Sequence, residues 1–234
     1  MKVVSNNKLI RRNKKIGQIT TIGALVILGI GLYFSFTQAE MVGITFGALL
    51  LGFVLTQVGS YYSSRWAKSP RPDELLNKSL KGLEEKSTLY HYVTGVAHML
   101  VGPAGVLSLV PISVPGKISF DERRNRFKQV GGNAFMKLFG QDNIGRPELD
   151  ARYSVEDIEK YLKKNFSELE TPDPEAIIVF TNPKAELEDL SAAPFSAVPL
   201  DKLKDYLRKK GKEHPAALDT IQIIQKALPS EDLD

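Results

Sequence analysis

Between Asp121 and Lys128 the chain reads DERRNRFK, a stretch dense in groups that could do chemistry. Asp121 and Glu122 are adjacent carboxylates, the kind of group that holds Mg²⁺ together with several waters. Arg123, Arg124, Arg126 and Lys128 form a dense basic patch outside the first 70 or so residues. With Phe120 and Phe127 beside them, they are candidates for contact with phosphate, either of nucleic acid or of anionic lipid. The plainer reading is a solvated turn whose rim is charged. Glu74 stands near the start of a helical pattern, where the backbone dipole favours an acid. His98 lies in an apolar strand and reads more simply as a satisfied core or edge histidine than as a ligand. The three histidines, His91, His98 and His214, are scattered, which argues against a zinc centre. The absence of cysteine excludes disulfides and thiolate metal sites. VGG at Val130–Gly132 lacks the Gly-Lys-Ser/Thr ending of a phosphate loop. QDNIGRP at Gln141–Pro147 is a polar loop, either functional or a connection.

The charge of the whole chain, +4 with a pI near 9.1, suggests a nucleic-acid binder until it is mapped. Residues 1–68 hold eight Lys and Arg against a single acid, Glu40. Residues 69–234 hold 23 basic and 26 acidic side chains. The basic excess therefore flanks the apolar segments, and the rest of the chain is slightly acidic. This weakens the electrostatic argument for nucleic acid.

Two segments are uncharged and apolar, Ile16–Phe36 and Met41–Ser64. At 1.5 Å per residue, each is long enough to cross a hydrocarbon core of about 30 Å as a helix. TQAE (Thr37–Glu40) leaves room only for a tight turn, so the helices must be antiparallel neighbours. KLIRRNKK (Lys8–Lys15) precedes the first span and SRWAK (Ser64–Lys68) follows the second. The basic flanks place both ends on the cytoplasmic side, with Glu40 outside. Gly43 and Gly47 give the second span a small-xxx-small face, a candidate for transmembrane packing. Neither span carries the ionisable groups that mark transport, so the hairpin reads as an anchor.

Beyond Lys68–Pro72, PDELLNKSLKGLEEK places Leu76, Leu80 and Leu83 at helical spacing. Thr88–Thr94, Val96–Val101 and Gly105–Ile112 read as strands, and GKISF with RFKQV as a hairpin. Residues 131–153 are expected to hold a short helix and then a loop. SVEDIEKYLKKNF is a helix that Ser154 can cap. Glu175–Thr181 is continuously apolar, hence a strand covered on both faces. PLDKLKDYLRKKG is a helix expected to end at Gly211, and HPAALDTIQIIQKAL is a last helix with Pro215 near its start. The fold class is α/β, a mixed sheet flanked by helices. The expected division is a basic amino-terminal segment (1–15), a hairpin (16–64, with spans 16–36 and 41–64), a linker (65–72), an α/β domain (73–212) and a carboxy-terminal helix and tail (213–234).

The helix with an early Glu, the strand TLYHYVT, the pair HMLVGPAGVLSLVPI and the hairpin GKISF…RFKQV resemble the nuclease-related domain (NERD) family. So does EAIIVFTNPKAEL…SAVPLDKLKDYLRK, and the likeness runs over roughly Pro72 to Lys210. Membrane-anchored members with amino-terminal spans look similar to the whole chain. The resemblance implies a restriction-endonuclease-like fold in which four groups converge on a metal. These are a Glu of the first helix, an Asp just before one strand, and a Glu and a Lys two residues apart on the next. The metal would stabilise charge on phosphate and help generate hydroxide. Laid on this sequence, Glu74 matches the first group. The Asp position falls on Ala97, the Glu position on Val110 and the Lys position on Ile112. No Asp, Glu or Lys occurs from Ser87 to Ser113.

The resemblance thus implies a degenerate site with Glu74 as its remnant, and no metal or cofactor. The expectation is a non-catalytic, nuclease-like domain that binds or scaffolds at the cytoplasmic face of a prokaryotic-type membrane, both termini being cytoplasmic. Its partners would be the lipid bilayer and a protein or second copy met through the hairpin. Nucleic-acid contact has no support in the soluble charge. The alternative is a divergent metal-dependent nuclease using Glu74 with Asp121 or Glu122.

Overall fold

The computed structural model describes every residue except Ala39, 133–142, Glu168 and Glu170. Contacts divide the chain into two units. One joins Met1–Asn6 to Leu75–Leu233, and the other is Asn7–Glu74 with Asp234.

The first unit is a mixed α/β fold. Its main sheet has six strands in the order β1 (Lys2–Ser5), β2 (Thr88–His91), β3 (His98–Gly102), β4 (Gly105–Ile112), β7 (Glu175–Phe180) and β9 (Ser196–Pro199). β2, β3 and β4 are antiparallel neighbours, whereas β1 on β2, β7 on β4 and β9 on β7 are parallel. A smaller sheet orders β6 (Arg126–Val130), β5 (Gly116–Asp121) and β8 (Ala185–Leu187).

Alternation along the strands gives the main sheet two buried faces. On one face, Leu89, Leu100, Leu107, Leu109, Ile177 and Val179 pack with Leu76 and Leu80 and with Leu203 and Leu207. The first pair belongs to or follows α3 (Pro72–Ser79), and the second lies on α5 (Leu203–Glu213). On the other face, Val4, Tyr90, Met99, Val101 and Val106 meet Ile158 and Leu162 of α4 (Pro147–Asn165) and Ile221 and Ile224 of α6 (Leu218–Ala227). β7 serves both faces, which explains its unbroken apolar run: Ile177 and Val179 point one way, Ala176, Ile178 and Phe180 the other.

Several elements depart from the sequence reading. β1 lies inside the segment read only as a basic tail. The Met1 ammonium donates to the Leu83 carbonyl at 3.2 Å, and Lys2 N–H donates to the Ser87 carbonyl at 2.9 Å. Residues 2–5 then run in parallel register with 88–91. The carboxy-terminal tail closes on the same strand, since Ser5 N–H donates to Asp232 Oδ1 at 2.7 Å and Leu233 N–H to the Ser5 carbonyl at 2.9 Å. β2 ends at His91 because Tyr92 turns to φ 59°, outside the strand region.

Ser154 does not cap α4. It sits inside the helix and donates from Oγ to the Ala151 carbonyl at 2.8 Å. The helix begins at Pro147, whose fixed φ and missing N–H suit a first position. Gly211 does not end α5, which runs on to Glu213. β8 and β9 are short strands that the sequence reading left as connection. The short helix expected within 131–153 falls largely on 133–142, outside the described residues, as do Gln141 and Asp142 of QDNIGRP.

The second unit is a helical hairpin of α1 (Asn7–Thr37) and α2 (Val42–Tyr62), followed by a π-helical turn over Ser63–Ala67. Both helices are long and apolar enough to span a membrane. Their contacts run in opposite order: Gly17 lies against Ser63 and Tyr62, Gly31 against Ala48, Gly52 against Leu28 and Gly59 against Thr21. A Cβ on Gly31 would stand 2.7 Å from Ala48 Cβ, so only glycine permits this approach. Thr20, Thr21 and Thr56 return their hydroxyls to carbonyls three or four residues back, at 2.7–3.1 Å, satisfying them without water.

Candidate functional site

β4 carries the positions where the family resemblance asks for a carboxylate and a lysine. Val110 pairs in register with Ile178 of β7, and Ile112 with Phe180. Both are packed against a core of Ile118, Phe127, Ala151, Ile178 and Phe180. Phe180 meets Phe127 at 6.3 Å, and Phe127 meets Phe120 edge-on at 5.3 Å. This surface is hydrocarbon. Ser108, two residues earlier on the same face of β4, is 1% exposed. Its hydroxyl has no hydrogen-bond partner among the described residues. Ala97, at the expected Asp position, is exposed just before β3, and its carbonyl accepts the Tyr92 N–H at 2.8 Å.

Beside Ala97 lies a group that sequence reasoning missed as a unit. His91 and His98 face each other across the β2–β3 ladder and are almost wholly buried. Their Nδ1 atoms are 2.8 Å apart, and His91 Nε2 lies 3.0 Å from Asn77 Oδ1 on α3. If the Asn77 oxygen accepts from His91 Nε2–H, then in the neutral pair His91 Nδ1 accepts and His98 Nδ1 donates. One proton sits between the rings, and a second would place two N–H groups head to head. Asn6 reaches the same end of the sheet, its side chain donating to the Tyr92 carbonyl at 3.2 Å. His98 is thus a hydrogen-bonded core histidine, the plainer of its two sequence readings. The only signal was spacing: residues 91 and 98 become cross-strand partners once the β2–β3 turn is placed.

Glu74 is occupied in its own helix. One carboxylate oxygen accepts from the Arg71 N–H and from Ser69 Oγ, each at 2.9 Å, and the other pairs with the Arg71 guanidinium at 3.0 Å. A third-position Glu reaching back to the capping residue's N–H is half of a capping box. Asp73, 3% exposed, takes the same guanidinium through two bonds of 2.8 and 3.0 Å. Asp121 and Glu122 form the β5–β6 turn: Asp121 accepts from the Arg124 N–H at 3.1 Å, and the Glu122 carbonyl from the Asn125 N–H at 3.2 Å. Among the described residues, no three or more His, Asp or Glu side chains are grouped as a metal site.

The basic patch lies on the outer side of the same hairpin. Arg123, Arg124, Arg126 and Lys128 are exposed, while Phe127 between them is buried. Arg124 meets Asp121 at 4.0 Å, and the other three enter no ion pair among the described residues. Gly43 and Gly47 have nothing within 4 Å of a built Cβ, so the hairpin's own packing does not use them. Glu148 was not singled out from sequence. It is 1% exposed, pairs with Arg146 and accepts the Phe127 N–H at 3.4 Å, tying the start of α4 to β6. Near it in sequence only the helix-starting Pro147 gave a signal.

Compared with protein-family models, with curated proteins and with solved structures, the chain matches none.

Proposed function

We propose that this chain is a membrane-anchored, non-catalytic domain of the nuclease-related type, with a restriction-endonuclease-like fold, that binds or scaffolds at the cytoplasmic face of a prokaryotic-type membrane. The observation that carries the non-catalytic reading is the placement of Val110 and Ile112 against Ile178 and Phe180. A carboxylate and an ammonium there would be charges in hydrocarbon, and Mg²⁺ needs several oxygens that this face does not offer. The saturation of Glu74 by Arg71 and Ser69 supports the same reading.

The same-side placement of both termini draws on β1. The strand before the hairpin is hydrogen-bonded into the sheet that follows it, so a hairpin crossing a bilayer must return to the side it left. The basic residues in the first turns of α1 and those after α2 make that side the cytoplasmic one.

The test is incubation of purified full-length protein with labelled DNA and RNA in Mg²⁺ or Mn²⁺. No cleavage above a metal-free control is expected. Metal-dependent cleavage that disappears in Glu74→Ala would overturn the proposal in favour of a divergent nuclease built on Glu74 with Asp121 or Glu122.

A further inference from the structure

α1 begins at Asn7 and continues without a break into its apolar stretch, so the basic residues before the span are helical. Lys8, Arg11, Arg12 and Lys15 follow the spacing i, i+3, i+4, i+7 and share one face. Ile19, Ile22 and Val26 prolong that face and are 55–62% exposed. The buried residues of the helix, Ile10, Asn13, Gly17, Ala24 and Gly31, lie on the opposite side. The cations therefore stand in line with the surface that acyl chains would cover.

The contact of Gly17 with Tyr62 and Ser63 brings Lys14 and Lys15 level with the turn after α2, where Arg65 and Lys68 are exposed. One end of the hairpin thus gathers seven cations, and the other holds only Glu40. Arg11 meets the exposed Asp234 at 3.7 Å. Lys8, Arg12, Lys14, Lys15 and Lys68 enter no ion pair among the described residues. Arg71, a few residues on, is by contrast paired with both Asp73 and Glu74. Like charges at i, i+4 repel, and cations at a helix amino terminus oppose its dipole. Left bare, the stripe is unfavourable for the helix that bears it. An anion laid along it removes both penalties.

The geometry points to a binding site for anionic phospholipid headgroups along Lys8, Arg11, Arg12 and Lys15, with Lys14, Arg65 and Lys68 beside it. The stripe rises about 10 Å along the axis, enough to reach through a headgroup layer of about 5–8 Å. Its ligands are the phosphodiesters of the leaflet, and Arg65, held against the Tyr61 ring at 4.9 Å, sits at the same end. This inference rests on the membrane-anchored reading.

Alkaline carbonate extraction of membranes tests that reading first, because release of the full chain would defeat the anchor itself. If the chain stays in the membrane, native mass spectrometry of the detergent-extracted protein follows, with equal phosphatidylglycerol and phosphatidylcholine added. The wild-type chain is expected to retain phosphatidylglycerol roughly tenfold over phosphatidylcholine. The variant K8Q/R11Q/R12Q/K15Q should lose that preference, and the charge-conserving K8R/R11K/R12K/K15R should keep it. Equal retention of the two lipids by wild type, or an undiminished preference in the glutamine variant, would overturn the proposal. So would displacement of the retained lipid by equimolar oligonucleotide, which would assign the stripe to nucleic acid.

Discussion

The two units are packed inside out relative to one another in composition. In the α/β unit Tyr90, Phe180, Leu107 and Ile177 are among the largest fully buried side chains, and arginine and lysine face outward. Within the apolar spans of the hairpin, 16–36 and 41–64, the buried positions among the described residues are Gly17, Ala24, Gly31, Gly52 and Gly59, while Phe36, Phe46, Phe53 and Leu50 are more than half exposed. A protein bathed in water on all sides rarely leaves so much contiguous apolar surface uncovered. The contrast teaches that the two units bury opposite kinds of side chain. Water drives large apolar groups inward in one. In the other, close approach of small residues supplies the packing, the pattern expected of helices that lipid surrounds.

The severest test of this contrast is Val4→Asp. Val4 is fully buried in the sheet core although it precedes the hairpin. An unpaired carboxylate there should cost at least about 4 kcal/mol and unfold the α/β unit. Limited proteolysis of the full chain in detergent would show residues 75–233 becoming sensitive; continued resistance would mean β1 is dispensable.

Next comes the same side chain deleted in both units. Phe180→Ala should cost about 3–5 kcal/mol, whereas Phe46→Ala, at a position 67% exposed, should change stability by no more than about 0.5 kcal/mol. Thermal melts followed by circular dichroism separate them, and similar losses would erase the contrast.

The converse exchange is smaller. Gly31→Leu should destabilise the hairpin by about 1–3 kcal/mol, because its Cβ collides with Ala48. Gly47→Leu, with open space around it, should be neutral or stabilise by up to about 1 kcal/mol. Detergent titration of the helical signal reads both. Smallest is Glu74→Ala, which removes a cap and should cost about 1 kcal/mol in thermal stability.

Much of this was legible in the sequence wherever one local rule governs. β4 begins and ends where its apolar run does, and β7 reads as covered on both faces because both sets of alternating residues are apolar. The hydrocarbon at Val110 and Ile112 needed no structure to be seen. β1 was not legible, because Lys2–Ser5 offers only two β-branched residues beside a strongly basic stretch. Its strand state comes from partners at 87–91 and 232–233, far along the chain. The His91–His98 pair was hidden for the same reason, since cross-strand register is set by a turn that opens on the left-handed Tyr92. Gly43 and Gly47 drew notice as a motif, yet the hairpin packs on Gly17, Gly31, Gly52 and Gly59. Helix phase, not motif spacing, decided which glycines face inward.

The hairpin is inserted between two neighbouring strands of one sheet, so if it crosses a membrane as proposed, the chain leaves and re-enters on the same side. The chain contains no cysteine, so single cysteines can report directly. Lys2→Cys, Glu40→Cys and Glu231→Cys, each labelled with a membrane-impermeant maleimide in intact and in lysed cells, provide the measurement. Position 40 is expected to label in intact cells, and positions 2 and 231 only after lysis. Labelling of positions 2 and 231 from opposite sides would contradict it.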